Sequence, residues 1–151
     1  MTRLLKMNWK NEYATGIHNI DDQHQTILEF VTRVERISAG RTRPEAVRPL
    51  ILRARELVES HFAVEESLMR LVAYSDSNAH RAEHKEILDH MANLEVQVLR
   101  NNAQHKLAPL VRRLLFGHVV GSDKRFAQYA LNLFGGPPSD RRTSDPSARK
   151  S

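Results

Sequence analysis

Apolar residues recur along this chain at the three- and four-residue steps of an amphipathic helix, in four separate stretches. The first stripe is Ile20, His24, Ile27, Leu28 and Val31, with Asp21 or Asp22 placed to cap its start and Gly40 to stop it. The second follows a short turn. Pro44 suits its first turn, while Pro49 falls either in the early turns or at a kink. Its predicted face is Leu50, Leu57, His61, Glu65, Leu68, Met69 and Val72. The third begins after Asp76 or Ser77 and runs to about Asn101. Its residues His80, His84, Ile87, Met91, Leu94 and Val98 follow the 4-3-4-3-4 spacing of a packed bundle seam.

The fourth stretch, from about Pro109 to Phe134, breaks step in its middle. Leu110, Val111, Leu114, Leu115 and His118 keep one helical register, and Asp123, Phe126, Ala130 and Leu133 keep another. The five residues from His118 to Asp123 would put these two side chains roughly 140° apart on a regular α-helix. A π-bulge, with one extra residue in the turn, brings both to the inner face. The i→i−4 hydrogen bonding is therefore expected to break between them.

Four amphipathic helices with short connections predict an all-α, up-down-up-down antiparallel four-helix bundle over residues 20–134. Residues 1–19 read as a mostly irregular arm whose Trp9, Tyr13 and Ile17, four apart, dock on the body. Residues 135–151, rich in Gly, Pro, Ser and charge, read as a disordered tail.

Composition narrows the function classes. The 151 residues suffice for one domain with its own core, and 40% apolar with 27% charged content describes a soluble globular chain. A net charge of +5 would suit nucleic acid or a membrane surface, but the basic residues are dispersed, so neither partner is expected. The absence of cysteine removes disulfides, thiolate metal sites, iron–sulfur clusters and a cysteine nucleophile together. Nothing resembles a signal peptide or a membrane span, and a cytoplasmic monomer is expected.

The candidate chemistry lies in the residues that interrupt the apolar stripes: His24, His61, Glu65, His80, His84, His118 and Asp123. A His four residues before a Glu is more often a surface pair, and HxxxH alone is common. Depth separates the readings. His24 falls early in the first helix, His61 and Glu65 late in the second, His80 and His84 early in the third, and His118 and Asp123 past the middle of the fourth. In an antiparallel bundle those positions share one level. Five imidazoles and two carboxylates exceed the usual needs of one ion and suit two transition-metal ions bridged by the carboxylates. Glu66, next in line, falls off this face and reads as an ordinary residue. His18, His90 and His105 read as solvated.

These residues make the chain resemble the hemerythrin family, specifically its single-domain bacterial members, over roughly residues 7–134. The matching elements are the arm from Trp9 through Tyr13 to Gly16-Ile17, IDDQH ending at His24, HFAVEE from His61, HRAEH from His80 to His84, and HVVGSD from His118 to Asp123. The resemblance implies a non-haem di-iron site that binds O₂ reversibly. His80, His84 and His118 would hold one iron, and His24 with His61 would hold the second, which stays open to O₂. Glu65 and Asp123 would bridge the ions together with an oxo or hydroxo group. Carriage, storage or delivery of O₂, to an O₂-consuming acceptor protein, is the leading function, and no enzymatic activity is expected. O₂ or redox sensing through a partner ranks second. A di-iron activity such as peroxide or nitric oxide reduction ranks below it, since no further acid–base residue stands out.

By position in the family pattern, Ile27, Leu114 and Val119 would line the O₂ pocket. The family often has Trp where this chain has Leu114, and often Ile where it has Val119. A smaller lining leaves room for solvent, which favours autoxidation. Leu114→Trp is therefore expected to lengthen the lifetime of the oxygenated absorbance bands, and an unchanged lifetime would refute that reading.

Overall fold

The computed structural model describes residues 9–38, 43–101 and 106–135. A 3₁₀ turn at Asn11–Tyr13 precedes α1 (His18–Ser38), α2 (Pro44–Leu71), α3 (Ser77–Asn101) and α4 (Leu107–His118). A π-helical turn at Val119–Asp123 continues α4 into α5 (Lys124–Gly135), making one rod. α1 packs on α2 and α4, and α3 packs on the same two, which is the square of a four-helix bundle. The π-turn sits where the two stripes of the fourth stretch fall out of register. Among the described residues, no helix is long and apolar enough to cross a membrane.

Local chemistry explains most boundaries. Pro44 opens α2, where its missing N–H has no helical partner to lose. Pro49 lies inside the same helix on an exposed position. α2 ends in a tight turn in which Ala73 adopts φ 50° and the Tyr74 N–H bonds to the Met69 carbonyl. That turn swings the Tyr74 ring to 6.5 Å from the ring of His80, near the start of α3.

Three expectations are corrected. α1 starts at His18, not at Asp21 or Asp22, with Ile17 supplying the first helical carbonyl to the Asp21 N–H. Asp21 instead reaches back out of the first turn. The inner face of α2 is Val47, Ile51, Ala54, Val58, His61, Phe62, Glu65 and Met69. Leu50, Leu57 and Leu68 are only half-buried at its rim, because the small residues form the close seam and the longer leucines flank it. Leu133 is 57% exposed, as the last turns of α5 extend past their neighbours. His18 is exposed as expected, and His90 bonds to the Glu86 carbonyl of its own helix. Gly40, His105, residues 136–151 and the side chains of Leu110, Val111 and Leu114 lie outside what is described.

The apolar core divides in two. One part holds Ile27, Val31, Ile51, Val58, Ile87 and Met91 with their neighbours. The other holds Ile20, Met69, Val72, Tyr74, Phe126 and Ala130. His24 on α1, Glu65 on α2, and His118 and Asp123 on the fourth rod fall between these two groups in sequence, and the histidines and carboxylates form one polar slab across the bundle.

The arm is clamped to this body. One Asp21 oxygen accepts hydrogen bonds from the Thr15 N–H at 2.7 Å and the Thr15 hydroxyl at 2.8 Å. The other accepts the Gly16 N–H at 3.1 Å. Gly16 holds φ +88°, and a Cβ there would come within 3.0 Å of Leu131. Trp9 then lies edge-on to Tyr13, and Tyr13 packs on Phe116 of α4 with centroids 4.9 Å apart. Asp21→Ala is expected to cost about 1–2 kcal/mol in chemical denaturation and to speed protease cleavage before His18. Unchanged protection of the arm would disprove the clamp.

Candidate metal centre

All seven predicted residues are buried at one level. His24, His61, His80, His84 and His118 are each 5% exposed or less, and Glu65 and Asp123 are fully buried. Each helix contributes for a local reason. His61 and Glu65 stand one turn apart on α2, His80 and His84 one turn apart on α3. The π-turn brings Asp123 back beneath His118, with Nε2 to Oδ1 2.8 Å.

Asp123 joins two groups of ligands. Its Oδ1 faces His80 Nε2 at 3.0 Å and His118 Nε2 at 2.8 Å. Its Oδ2 faces His24 Nε2 at 2.9 Å and His61 Nε2 at 3.7 Å. Glu65 Oε2 lies 3.2 Å from both His80 and His84 and 3.9 Å from His61. Two groups that could each hold a metal ion result: Glu65, His80, His84, His118 and Asp123, and His24, His61 and Asp123.

The donor set fits cations better than it fits itself. Nε2 of His24 and His61 face each other at 3.0 Å, as do those of His80 and His118 at 3.1 Å. A face-to-face pair of neutral ring nitrogens can share only one proton. Glu65 Oε1 is buried with no hydrogen-bond partner among the described residues, a deficit that a bound cation would make good. Imidazole-rich sites suit iron, zinc, copper or nickel over magnesium or calcium.

Protonation shows the same demand for positive charge. Burial pushes the His80 imidazole down, but its bonds to Asp123 and Glu65 prevail and raise its pKa to about 9. Burial also opposes charge on His118, and Asp123 again outweighs it, giving a rise. Burial pushes both carboxylates up. Hydrogen bonds from His118, His24, His61 and His80 nevertheless hold Asp123 well below the usual carboxylate range, and His80 and His84 hold Glu65 below its own. In the metal-free protein, protons on imidazole stand in for cations.

Several neighbours were not legible from the stripes. Phe62 stacks on the His84 ring at 3.7 Å and 6°, sealing one side. The Nδ1–H groups that point outward find acceptors: His61 on Gln23 Oε1, His84 on Glu66 Oε1 and His118 on Glu83 Oε2, each at 2.9 Å. Glu66 is thus not the ordinary residue its off-face position suggested. Being about one residue step off the inner face puts it beside the ligand ring. The available signal was the general need of a ligating imidazole for an outer acceptor.

An apolar cavity of about 20 Å³ abuts the His24, His61, His118 and Asp123 side of the cluster. This volume is near the size needed for one water-sized molecule. Ile27 and Val119 line it, joined by Val31, Phe62, Leu115 and Trp9. Trp9 comes from the arm. Leu114 belongs to α4, but its side chain is outside the described set.

The raised His80 pKa means that the folded chain holds this proton more tightly than the unfolded chain does. That stabilisation is complete below about pH 6.5 and is lost as pH rises through about 9. The lowered carboxylates act in the opposite sense, and their contribution is lost on acidification below the usual carboxylate range. Chelator-treated protein is therefore expected to show a falling Tm between about pH 6.5 and 9. A flat thermal profile over that window would contradict it.

The Hemerythrin HHE cation binding domain matches residues 15–130. The bacteriohemerythrin of Methylococcus capsulatus is 30% identical over 123 residues, covering 80% of this chain and 93% of that protein. That of Pseudomonas aeruginosa is 29% identical over 116 residues, covering 76% and 75%. A crystal structure of wild-type hemerythrin superposes with TM-score 0.73 at 26% identity, covering 83% of this chain and 98% of that one. The domain match spans most of the chain and contains every residue of the buried cluster, so this protein belongs to the hemerythrin family.

Proposed function

We propose that this protein binds O₂ reversibly at a pair of iron ions, for carriage, storage or delivery. The observation that carries the reading is the location of the apolar cavity. It touches His24, His61, His118 and Asp123, while His80, His84 and Glu65 do not line it. A small apolar ligand there would therefore meet both histidines of the two-histidine side, with His118 as the one histidine from the other side.

In this proposal His80, His84 and His118 hold one ion and His24 with His61 hold the other. Glu65 and Asp123 would serve both ions. When bound, the iron pair supplies the electrons that O₂ takes up on binding and returns on release. The chain's part is to orient and to keep dry. Asp123 spans the two groups through its separate oxygens, and Phe62 holds the His84 ring flat. Ile27, Val31, Leu115 and Val119 exclude water from the open side.

Binding is favoured over turnover by the chemistry of the described lining. Apart from the histidines and Asp123, the charged side chain lining the cavity among the described residues is Arg112, paired with Glu35. A guanidinium does not release its proton in a protein. Metal analysis with absorbance spectra of the reduced protein, before and after O₂, tests the proposal. Two irons per chain and bands that vanish on removing O₂ are expected, and steady consumption of O₂ or peroxide would overturn it.

A further inference from the structure

The outer partners of the ligating imidazoles are unequal, and the inequality follows the division of the cluster. On the three-histidine side, two rings donate to carboxylates: His84 to Glu66 and His118 to Glu83, both at 2.9 Å. Both carboxylates are held in place, Glu66 by Arg81 at 3.3 Å and Glu83 by the Ser122 hydroxyl at 2.5 Å. Arg125 in turn donates to Ser122 at 2.9 Å. On the two-histidine side, His61 donates to a neutral amide oxygen, Gln23 Oε1, at the same 2.9 Å. His24 Nδ1 is buried with no hydrogen-bond partner among the described residues.

A carboxylate that accepts the outer N–H of a ligating imidazole draws that proton outward and makes the ring a stronger donor to its metal. A neutral amide does this less, because its oxygen carries no full charge. We infer that Glu66, Glu83 and Gln23 are positioning residues that set the two metal positions apart. Glu66 and Glu83 make the three-histidine position electron-rich and tightly held. Gln23 keeps the cavity-facing position electron-poor, so that it favours the ferrous state. The inference rests on the proposed iron pair but not on O₂ binding.

The site around Gln23 allows a direct exchange of charge. It lies on an open cleft of about 180 Å³ between α1 and α2, lined also by Asp22, Thr26, Ile27, Leu57, Ser60 and His61. Water there can hydrate a carboxylate in place of the amide, so Gln23→Glu preserves shape and hydrogen bond while adding charge. Glu66→Gln and Glu83→Gln do the reverse.

The test is spectroelectrochemical titration of the iron-loaded variants under nitrogen, with iron loss to a chelator followed in parallel. Gln23→Glu is expected to lower one of the two potentials by about 59 mV or more, the equivalent of tenfold for one electron. Glu66→Gln and Glu83→Gln are expected to raise the other potential and to weaken iron retention roughly 10–100-fold. Thermal melts of the metal-free variants separate these effects from misfolding. Unchanged potentials in all three variants would overturn the inference, as would iron loss in Glu66→Ala with none in Glu66→Gln, which marks a purely structural bond. Because O₂ is absent throughout, failure here leaves the O₂-binding reading to its own spectra.

Discussion

One carboxylate holds this molecule's chemistry together. Asp123 is fully buried in a bundle core, and each of its oxygens meets a separate pair of imidazoles drawn from α1, α2, α3 and α4. A lone buried carboxylate would be strongly unfavourable. This one is sustained by four facing Nε2 atoms, and those are available only because the helices run antiparallel with the histidines at matched depth. The π-turn belongs to the same constraint. Without its extra residue, Asp123 would point away from His118, and α4 and α5 would present a His to the core and an Asp to the surface.

The polar slab shapes everything around it. It splits the apolar core into two clusters, and each must still hold the helices in register. The larger cluster supplies the walls of the small cavity beside His24 and His61, so packing and ligand access use the same side chains. Even the N-terminal arm is drawn in. Asp21 ties down Thr15 and Gly16, and Trp9 arrives as part of the cavity wall. Position in the family pattern directed attention to Leu114 as a lining residue. Trp9, distant in sequence, joins Phe62 and Phe116 as an aromatic side chain on that wall.

The buried polar cluster is legible in the sequence because periodicity makes a polar residue on an apolar stripe conspicuous. His80 and His84 occupy two positions of a 4-3-4-3-4 seam, and the five-residue step from His118 to Asp123 marks the π-turn. The face of α2 was read less well. The predicted face runs through Leu50, Leu57 and Leu68, whereas the buried seam includes Val47, Ile51, Ala54 and Val58. Helix approach depends on which side chains fit between backbones, and hydrophobicity along one chain does not report that. The early start of α1 was missed because Asp21 serves the arm from inside the first turn instead of capping from outside it.

What the sequence determined by itself was the class of fold, the seven converging side chains and their common depth, since each depends on spacing within a helix and on antiparallel order. What only the tertiary structure decided was the outer ring of acceptors and the side on which the cluster meets an apolar cavity. Gln23, Glu66 and Glu83 sit beside a ligand or ligand pair in sequence, but each serves an imidazole on a different helix. Such a pairing depends on helix rotation and separation to within a hydrogen-bond length, and single-chain periodicity fixes neither.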